Sequence, residues 1–145
     1  MTEEVSLNIE LSSTYWDDRY PGARVYINDT LIFENLITGP TAISWSGSVN
    51  ENNTITVEMY NKQDGDTVTD DAGKIINDVL LNINNISIDE IDLDNLLWTN
   101  STYYPNHNDN QPTPESVKEC VNLGWNGRWK LEFTAPVYLW LLENL

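Results

Sequence analysis

Cysteine, histidine and basic side chains are all scarce in this sequence of 145 residues. Cys120 is its single cysteine, so no disulfide can form within the chain and the fold must depend on its hydrophobic core. His107 is its single histidine, and one histidine with one cysteine cannot supply the cluster of ligands that structural zinc requires. The sequence therefore excludes an intrachain disulfide scaffold and an intrachain zinc site.

The balance of charge excludes two classes of partner. Seven lysines and arginines stand against 23 aspartates and glutamates, which gives a formal net charge of −16. No group of basic residues could neutralise a row of phosphates, so we expect no binding to nucleic acid and no electrostatic docking on a membrane. Nor does any apolar stretch approach the length that crosses a bilayer.

The first residues carry an expectation about where the protein is made. Met1-Thr2-Glu3-Glu4 is acidic where a secretory signal peptide would be basic, and no long apolar segment follows. We therefore expect synthesis in the cytoplasm without a signal peptide. Any later location outside the cell would need another route, such as release by lysis.

Catalytic arrangements are also weak. A nucleophilic pair of Cys120 and His107 lacks an oxyanion signature, and His107 is typical of a solvated loop. Carboxylates are plentiful, but no two of them stand out as the acid pair of a glycosidase. These observations predict a protein that is not an enzyme.

Alternation of apolar and polar residues is the main structural signal that is present. It runs along Val5–Leu11 and again along Thr54–Tyr60, which predicts half-buried strands. Asn, Thr, Ser and Asp fill many other positions, and they favour turns and sheet surfaces over helix interiors. Short strands with turn signals roughly every ten residues predict an all-β fold of antiparallel strands. We expect a β-sandwich or jelly roll in a single domain, residues 1–145.

Three local signals refine the expected strands. Asp29-Thr30 between two strand-like segments predicts a hairpin, and Asn126-Gly127 is the strongest short hairpin signature in the chain. Along Ile75–Ile88 both helical and strand spacing occur, and the β-branched residues favour strands. The alternation changes phase at Asn84-Asn85, which predicts a bulge or tight turn there.

The segment Val137–Leu142 is almost wholly apolar, and we interpret it as a strand. Strand parity would place Tyr138, Trp140 and Leu142 on one face. Such a strand is either central and buried on both faces, or its outer face meets another subunit. Since a soluble monomer normally avoids exposing such a row, we expect Tyr138 and Trp140 to lie in a subunit or capsid contact.

One loop concentrates carboxylates that suit calcium. The aspartates of this loop are Asp64, Asp66, Asp70 and Asp71, and Asp78 is the next aspartate along the chain. Calcium takes roughly six to eight oxygen ligands, often from one flexible loop, and Gly65 permits a sharp turn there. The spacing lacks the terminal glutamate of the helix–loop–helix calcium signature. We predict a calcium site at these aspartates, with a solvated acidic loop as the alternative.

Aromatic residues with a polar group supply a candidate binding surface. A hairpin at Asn126-Gly127 would place Trp125 beside Arg128 and Lys130. This group is either a cation–π pair that covers one edge of the sandwich or a platform for a sugar ring or a protein partner. The further candidates for the surface are Trp16, Tyr20, Tyr103 and Tyr104.

Part of the chain resembles a known family. The run from Asn53–Asn61 through the acidic loop to Val79–Leu93, about a third of the sequence, resembles the calcium-dependent carbohydrate-binding modules that accompany xylanases. The resemblance implies a jelly roll whose loop carboxylates hold a calcium that contacts sugar hydroxyls. The residues it would assign to that role are Asp64, Asp66, Asp70 and Asp71, with Asp78 near the start of the last shared strand.

The whole chain, particularly Leu123–Trp129 and Pro136–Leu145, is similar to small acidic proteins of marine tailed bacteriophages. This second resemblance implies a virion protein made in the host cytoplasm. We predict a non-enzymatic virion-associated accessory protein, such as a capsid decoration or a tail or fibre component. Its partners would be other virion proteins or further copies of itself. The alternative is a free calcium-dependent carbohydrate-binding module or lectin, and a glycan-active enzyme ranks third.

Overall fold

The computed structural model describes residues 3–106 and 113–144, and most of its regular secondary structure is strand. The strands are β1 (Glu3–Thr14), β2 (Gly22–Ile27), β3 (Thr30–Leu36), β4 (Thr41–Val49), β5 (Asn52–Tyr60), β6 (Val68–Thr69), β7 (Ile75–Asn77), β8 (Leu80–Ile88), β9 (Ile91–Asp92), β10 (Ser101–Pro105), β11 (Val117–Lys118), β12 (Asn122–Leu123) and β13 (Gly127–Thr134). The helices are α1 (Leu96–Thr99) and α2 (Val137–Asn144). Neither of these helices has the length and apolar character needed to cross a membrane.

The strands form two sheets and a small ribbon. One sheet has the order β12-β8-β1-β4, with β9 beside β8, and the other has the order β11-β10-β13-β5-β2-β3. The ribbon pairs β6 with β7. Neighbouring strands are antiparallel throughout. The prediction of an all-β sandwich of antiparallel strands is therefore confirmed.

Alternate residues of the two sheets meet in one hydrophobic core. From the first sheet come Val5, Leu7, Ile9 and Leu11 of β1, with Leu81, Ile83, Ile86 and Ile88 of β8. From the second come Ile55, Val57 and Met59 of β5, with Trp129, Leu131 and Phe133 of β13. Each such side chain contributes about 1.5–3 kcal/mol when it is removed from water. The alternation along Val5–Leu11 and Thr54–Tyr60 thus marks the inward faces of two central strands.

The phase change in β8 is a bulge. The pairing of β1 with β8 shifts register between Glu10 and Leu11, which leaves Asn84 out of the ladder. Because of this extra residue, Ile83 and Ile86 both face the core although an odd number of positions separates them. The predicted strand over this segment and its predicted irregularity are both confirmed.

One of the two predicted hairpins forms, with its turn one residue earlier than the predicted Asp29-Thr30. β2 and β3 pair around Asn28-Asp29, where Asn28 has a positive φ of 55° that suits a tight turn. At Asn126-Gly127 the prediction is wrong, because β12 pairs with β8 whereas β13 pairs with β5 and β10 in the other sheet. Glycine is required at position 127 for another reason: a Cβ atom there would lie 2.4 Å from the carbonyl oxygen of Tyr104. The chain crosses between the sheets at this point.

The predicted strand over Val137–Leu142 is also wrong, because the segment is the helix α2. Pro136 directly precedes the helix, and proline suits a helix start. The N–H of Val137 donates to a carboxylate oxygen of Glu3 at 3.2 Å, which satisfies one of the unpaired amides at that end. An unbroken apolar run has no period that distinguishes a strand from a buried helix.

Helical spacing changes which residues of α2 are buried. Val137, Trp140 and Leu141 face the core at the i, i+3, i+4 spacing of one helix face. Trp140 is only 6% exposed and meets Phe133 edge to face, with ring centroids 6.1 Å apart. Tyr138 is 62% exposed on the opposite side. The predicted outward row of Tyr138, Trp140 and Leu142 therefore does not exist, and Trp140 belongs to the core.

We expect Trp140→Ser to lower the free energy of unfolding by about 3–5 kcal/mol, because it removes a large buried side chain and leaves a cavity. Tyr138→Ser is the matched control and should change that free energy by less than about 0.5 kcal/mol. Urea denaturation followed by circular dichroism measures both. Equal, small effects of the two substitutions would contradict the helical placement.

Candidate functional site

A cleft opens where several strands end together. The loop that follows β5, the segment before β8, the residue that follows β10 and the loop between β12 and β13 meet at one end of the sandwich and enclose about 570 Å³. The side chains that line it include Lys62, Gln63, Thr67, Asp78, Trp125 and Asn126. Ligand sites combine aromatic or apolar side chains with a few polar groups that fix the orientation of the ligand, and this cleft contains both kinds.

Asn126 fixes the floor of this cleft by binding the backbone of Lys62 in both directions. Its Oδ1 accepts a hydrogen bond from the N–H of Lys62 at 2.9 Å, and its Nδ2 donates to the carbonyl oxygen of Lys62 at 2.9 Å. The carbonyl oxygen of Asn126 also accepts from the N–H of Asn106 at 2.8 Å. Through its side chain and its backbone, the residue that suggested a hairpin turn therefore joins three loops.

The ammonium group of Lys62 is held by oxygens from two other segments. Its Nζ donates to Asp78 Oδ1 at 2.8 Å and to the carbonyl oxygen of Gly124 at 2.6 Å. Only 14% of the Lys62 side chain and 17% of the Asp78 side chain are exposed. The pair is thus a partly buried ion pair with a supporting carbonyl, a stronger arrangement than an exposed surface salt bridge.

Asp78 is ionised in this setting. Burial of the carboxylate works to raise the pKa of Asp78, but hydrogen bonds from Lys62, Thr67 and the N–H of Val79 outweigh burial, and the pKa lies below its ordinary value. All three donors converge on Oδ1, with Thr67 Oγ1 at 2.7 Å and the Val79 N–H at 2.8 Å. The second carboxylate oxygen, Oδ2, accepts no hydrogen bond from the described residues.

A second ion pair closes the loop beside the cleft. Asp66 is buried, and its Oδ1 accepts from Arg19 Nη1 at 2.7 Å while its Oδ2 accepts from the N–H of Gln63 at 2.8 Å. The Trp16 indole N–H donates to the carbonyl oxygen of Asp66 at 2.7 Å, and the Arg19 guanidinium lies 5.0 Å from the centroid of the Trp16 ring. Trp16, predicted as part of a binding surface, packs against this loop.

Trp125 lines the cleft and is held through its backbone. The N–H of Trp125 donates to the hydroxyl of Tyr103 at 2.9 Å, and that hydroxyl donates to the carbonyl oxygen of Trp125. Tyr103 is fully buried, and burial raises the pKa of its phenol well above the ordinary value. The prediction that Tyr103 belongs to a binding surface is therefore wrong. Its buried hydroxyl instead holds the backbone of Trp125 in place.

The five aspartates predicted as calcium ligands do not converge. Among the described residues, no three His, Cys, Asp or Glu side chains come close enough to hold a metal ion. Asp66 and Asp78 are each paired with a cation, and Asp70 accepts hydrogen bonds from two backbone N–H groups of its own turn, both at 2.9 Å. Asp64 and Asp71 are exposed. This donor set does not fit calcium, which needs several uncommitted oxygens around one point.

The remaining members of the predicted aromatic surface lie elsewhere. Tyr104 and Arg128 are on the outer face of the six-stranded sheet, where Arg128 Nε donates to Glu58 at 3.1 Å. Tyr20 packs on a neighbouring tyrosine with ring centroids 4.6 Å apart, and Tyr138 is exposed on α2. Trp125 and Arg128 therefore do not form the predicted hairpin pair. The predicted residues do not make one continuous platform.

Sequence reasoning named Trp125 and Asp78 but missed other residues that build the cleft. Lys62 is 16 residues from Asp78 and 64 residues from Asn126, so no local spacing joins them. Thr67 could not be recognised either, because a threonine in an acidic loop has no distinctive signal. The available clue was Lys62 itself, a basic residue beside the acidic loop of a chain with seven basic residues.

Comparisons with known proteins support the partial resemblance to carbohydrate-binding modules. Neither a protein-family model nor a curated protein matches the chain. One structural match is the SeMet form of vCBM60, from work on a circular permutation that links two families of calcium-dependent carbohydrate binding modules. It has a TM-score of 0.54 at 12% sequence identity and covers 88% of this chain and 89% of that chain. The complex of vCBM60 with galactobiose matches with a TM-score of 0.50 at 13% identity, over 89% and 97%. At these identities the likeness concerns the fold.

We expect Asn126→Ala to destabilise the protein by about 1–3 kcal/mol, because the N–H and carbonyl of Lys62 lose their partners. Asn52→Ala, at an exposed position in β5, is the control and should have an effect below about 0.5 kcal/mol. Thermal and urea unfolding of both variants test this. A loss of stability for Asn126→Ala no larger than that of the control would show that Asn126 does not hold the Lys62 backbone.

Proposed function

We propose that this chain is a non-catalytic carbohydrate-binding domain and that its ligand occupies the cleft at Trp125. The single observation that carries the proposal is the composition of that cleft. An indole and several fixed polar groups share one cavity, on a fold that two structures of a carbohydrate-binding module also have. One neighbour is a complex of vCBM60 with galactobiose, and we use that sugar as a probe.

The chemistry of the lining supports a sugar as ligand. A sugar ring has an apolar face of C–H groups and an edge of hydroxyls, so it needs an aromatic surface and directional polar partners together. Trp125 is half-buried in the cleft wall, and Gln63 and Thr67 are neutral groups of a type that can exchange hydrogen bonds with hydroxyls. The ion pair of Lys62 with Asp78 adds a charged donor beside a charged acceptor.

Binding without catalysis is supported by the state of the titratable groups. A glycosidase needs one carboxylic acid whose pKa is raised, whereas Asp78 is held ionised by Lys62. Burial raises the pKa of the Cys120 thiol, which donates to the carbonyl oxygen of Asn122 at 3.2 Å and is therefore a poor nucleophile at neutral pH. The other half of the candidate dyad, His107, lies outside the described residues.

A role in a virion remains a proposal alongside carbohydrate binding. It rests on the net charge of −16 and on the similarity of the sequence to phage proteins. A carbohydrate-binding domain on a capsid or tail would attach the particle to glycans, so the two proposals are compatible. Location in the virion and contacts with other virion proteins or with further copies of this chain belong to this part of the proposal.

Trp125→Ala tests the proposed cleft. We expect it to weaken binding of a recognised oligosaccharide by at least about tenfold, equivalent to ~1.4 kcal/mol, because the apolar sugar face loses its aromatic partner. Trp98→Ala is the matched control, since Trp98 is 42% exposed on α1 and lies outside the cleft. A glycan array that includes galactobiose identifies the ligand, and isothermal titration calorimetry measures the dissociation constants. Equal affinities for the two variants would place the site elsewhere.

The virion proposal has a separate test. Mass spectrometry of gradient-purified virus particles from cultures that produce this chain should detect the protein at a fixed stoichiometry relative to the major capsid protein. Detection only in the soluble fraction of lysed cells would remove the virion role and leave the carbohydrate-binding proposal intact.

A further inference from the structure

The ion pair of Lys62 with Asp78 suggests how the cleft holds sugar hydroxyls. A lysine ammonium has three N–H donors, and Asp78 Oδ1 and the carbonyl oxygen of Gly124 take two of them. No described residue accepts the third. Lys62 lines the cleft, so one charged donor remains for a ligand there.

An acceptor lies directly beside that donor. Asp78 Oδ1 receives Lys62, Thr67 and the N–H of Val79, while Oδ2 receives no donor from the described residues. Both oxygens belong to one planar carboxylate, so Oδ2 lies within a few ångströms of the ammonium group. A donor and an acceptor at that separation match two adjacent hydroxyls on a sugar ring, one of which accepts a hydrogen bond while the other donates one.

The oxygens that surround the Lys62 ammonium group are of the types that bind divalent cations. A carboxylate from one segment and a backbone carbonyl from another are the oxygen types that calcium collects, and here both already surround an ammonium group. The nearby buried carboxylate, Asp66, is neutralised by Arg19 at 2.7 Å. A calcium ion could use these oxygens only after displacing Lys62 or Arg19, since like charges repel at such distances.

We infer that Lys62, together with Asp78, takes the place of calcium in this cleft and binds a pair of adjacent hydroxyls on a neutral sugar, so that ligand binding needs no metal ion. This inference rests on the proposed carbohydrate-binding function and specifies how that function is carried out. Binding without a metal ion would distinguish this chain from its structural neighbour vCBM60, which is linked with calcium-dependent carbohydrate binding modules.

The test measures sugar binding by the full chain, using galactobiose and the ligands found on a glycan array, in chelator and in millimolar calcium. We expect the dissociation constant to change by less than about twofold between the two conditions, and the melting temperature to stay constant on addition of calcium. Binding that disappears in chelator and returns with calcium would overturn the inference while it leaves the proposed function standing. Absence of binding to any glycan in both conditions would remove the proposed function and the inference with it.

Lys62→Met tests the role of the ammonium group directly, because methionine keeps much of the apolar stem and removes the charge. We expect a loss of at least about tenfold in affinity, as is typical when a hydrogen bond from a charged group is lost. Lys74→Met, at an exposed position in the acidic loop, is the control and should bind as the wild type does. Unchanged affinity in a folded Lys62→Met protein would overturn the inference. Should that variant not fold, the chelator experiment on the wild type still decides the question.

Discussion

The contact on which the cleft depends is the partly buried pairing of Lys62 with Asp78. In a chain with a net charge of −16, carboxylates at converging strand ends repel one another unless cations lie among them. Here Lys62 neutralises Asp78 and Arg19 neutralises Asp66, while Asn126 holds the Lys62 backbone in register. Few basic residues are present, and these two are placed where they join separate loops. This pairing gives the cleft that Trp125 also lines a fixed polar array.

The fold could be predicted largely from the sequence because burial in a sandwich imposes a period of two. The alternation along Val5–Leu11 and the phase change at Asn84 follow from which side of each strand meets the core. Prediction failed where the apolar period was missing, and where a turn signature had another cause. The run Val137–Leu142 is apolar at every position, so only Pro136 marked it as a helix. Asn126-Gly127 has the signature of a hairpin turn, but Gly127 is needed because the backbone of Tyr104 lies close to it.

The candidate site could be predicted only in part, because it is assembled from distant segments. Trp125 and Asp78 were both recognised as candidates, but their partners were not. The acidic loop was predicted to bind calcium, and a cation beside clustered carboxylates is sound electrostatics. What the sequence could not reveal is that the cations are Lys62 and Arg19, since tertiary structure alone brings these residues to Asp78 and Asp66.

The most direct test of the cleft as a metal-free sugar site is a nuclear magnetic resonance titration of the isotopically labelled chain with a recognised oligosaccharide in the presence of chelator. We expect the largest chemical-shift changes at the Trp125 indole and at the amides of Gln63 and Thr67, which line the cleft. Changes confined to the outer face of the six-stranded sheet, around Tyr26 and Arg128, would contradict this assignment.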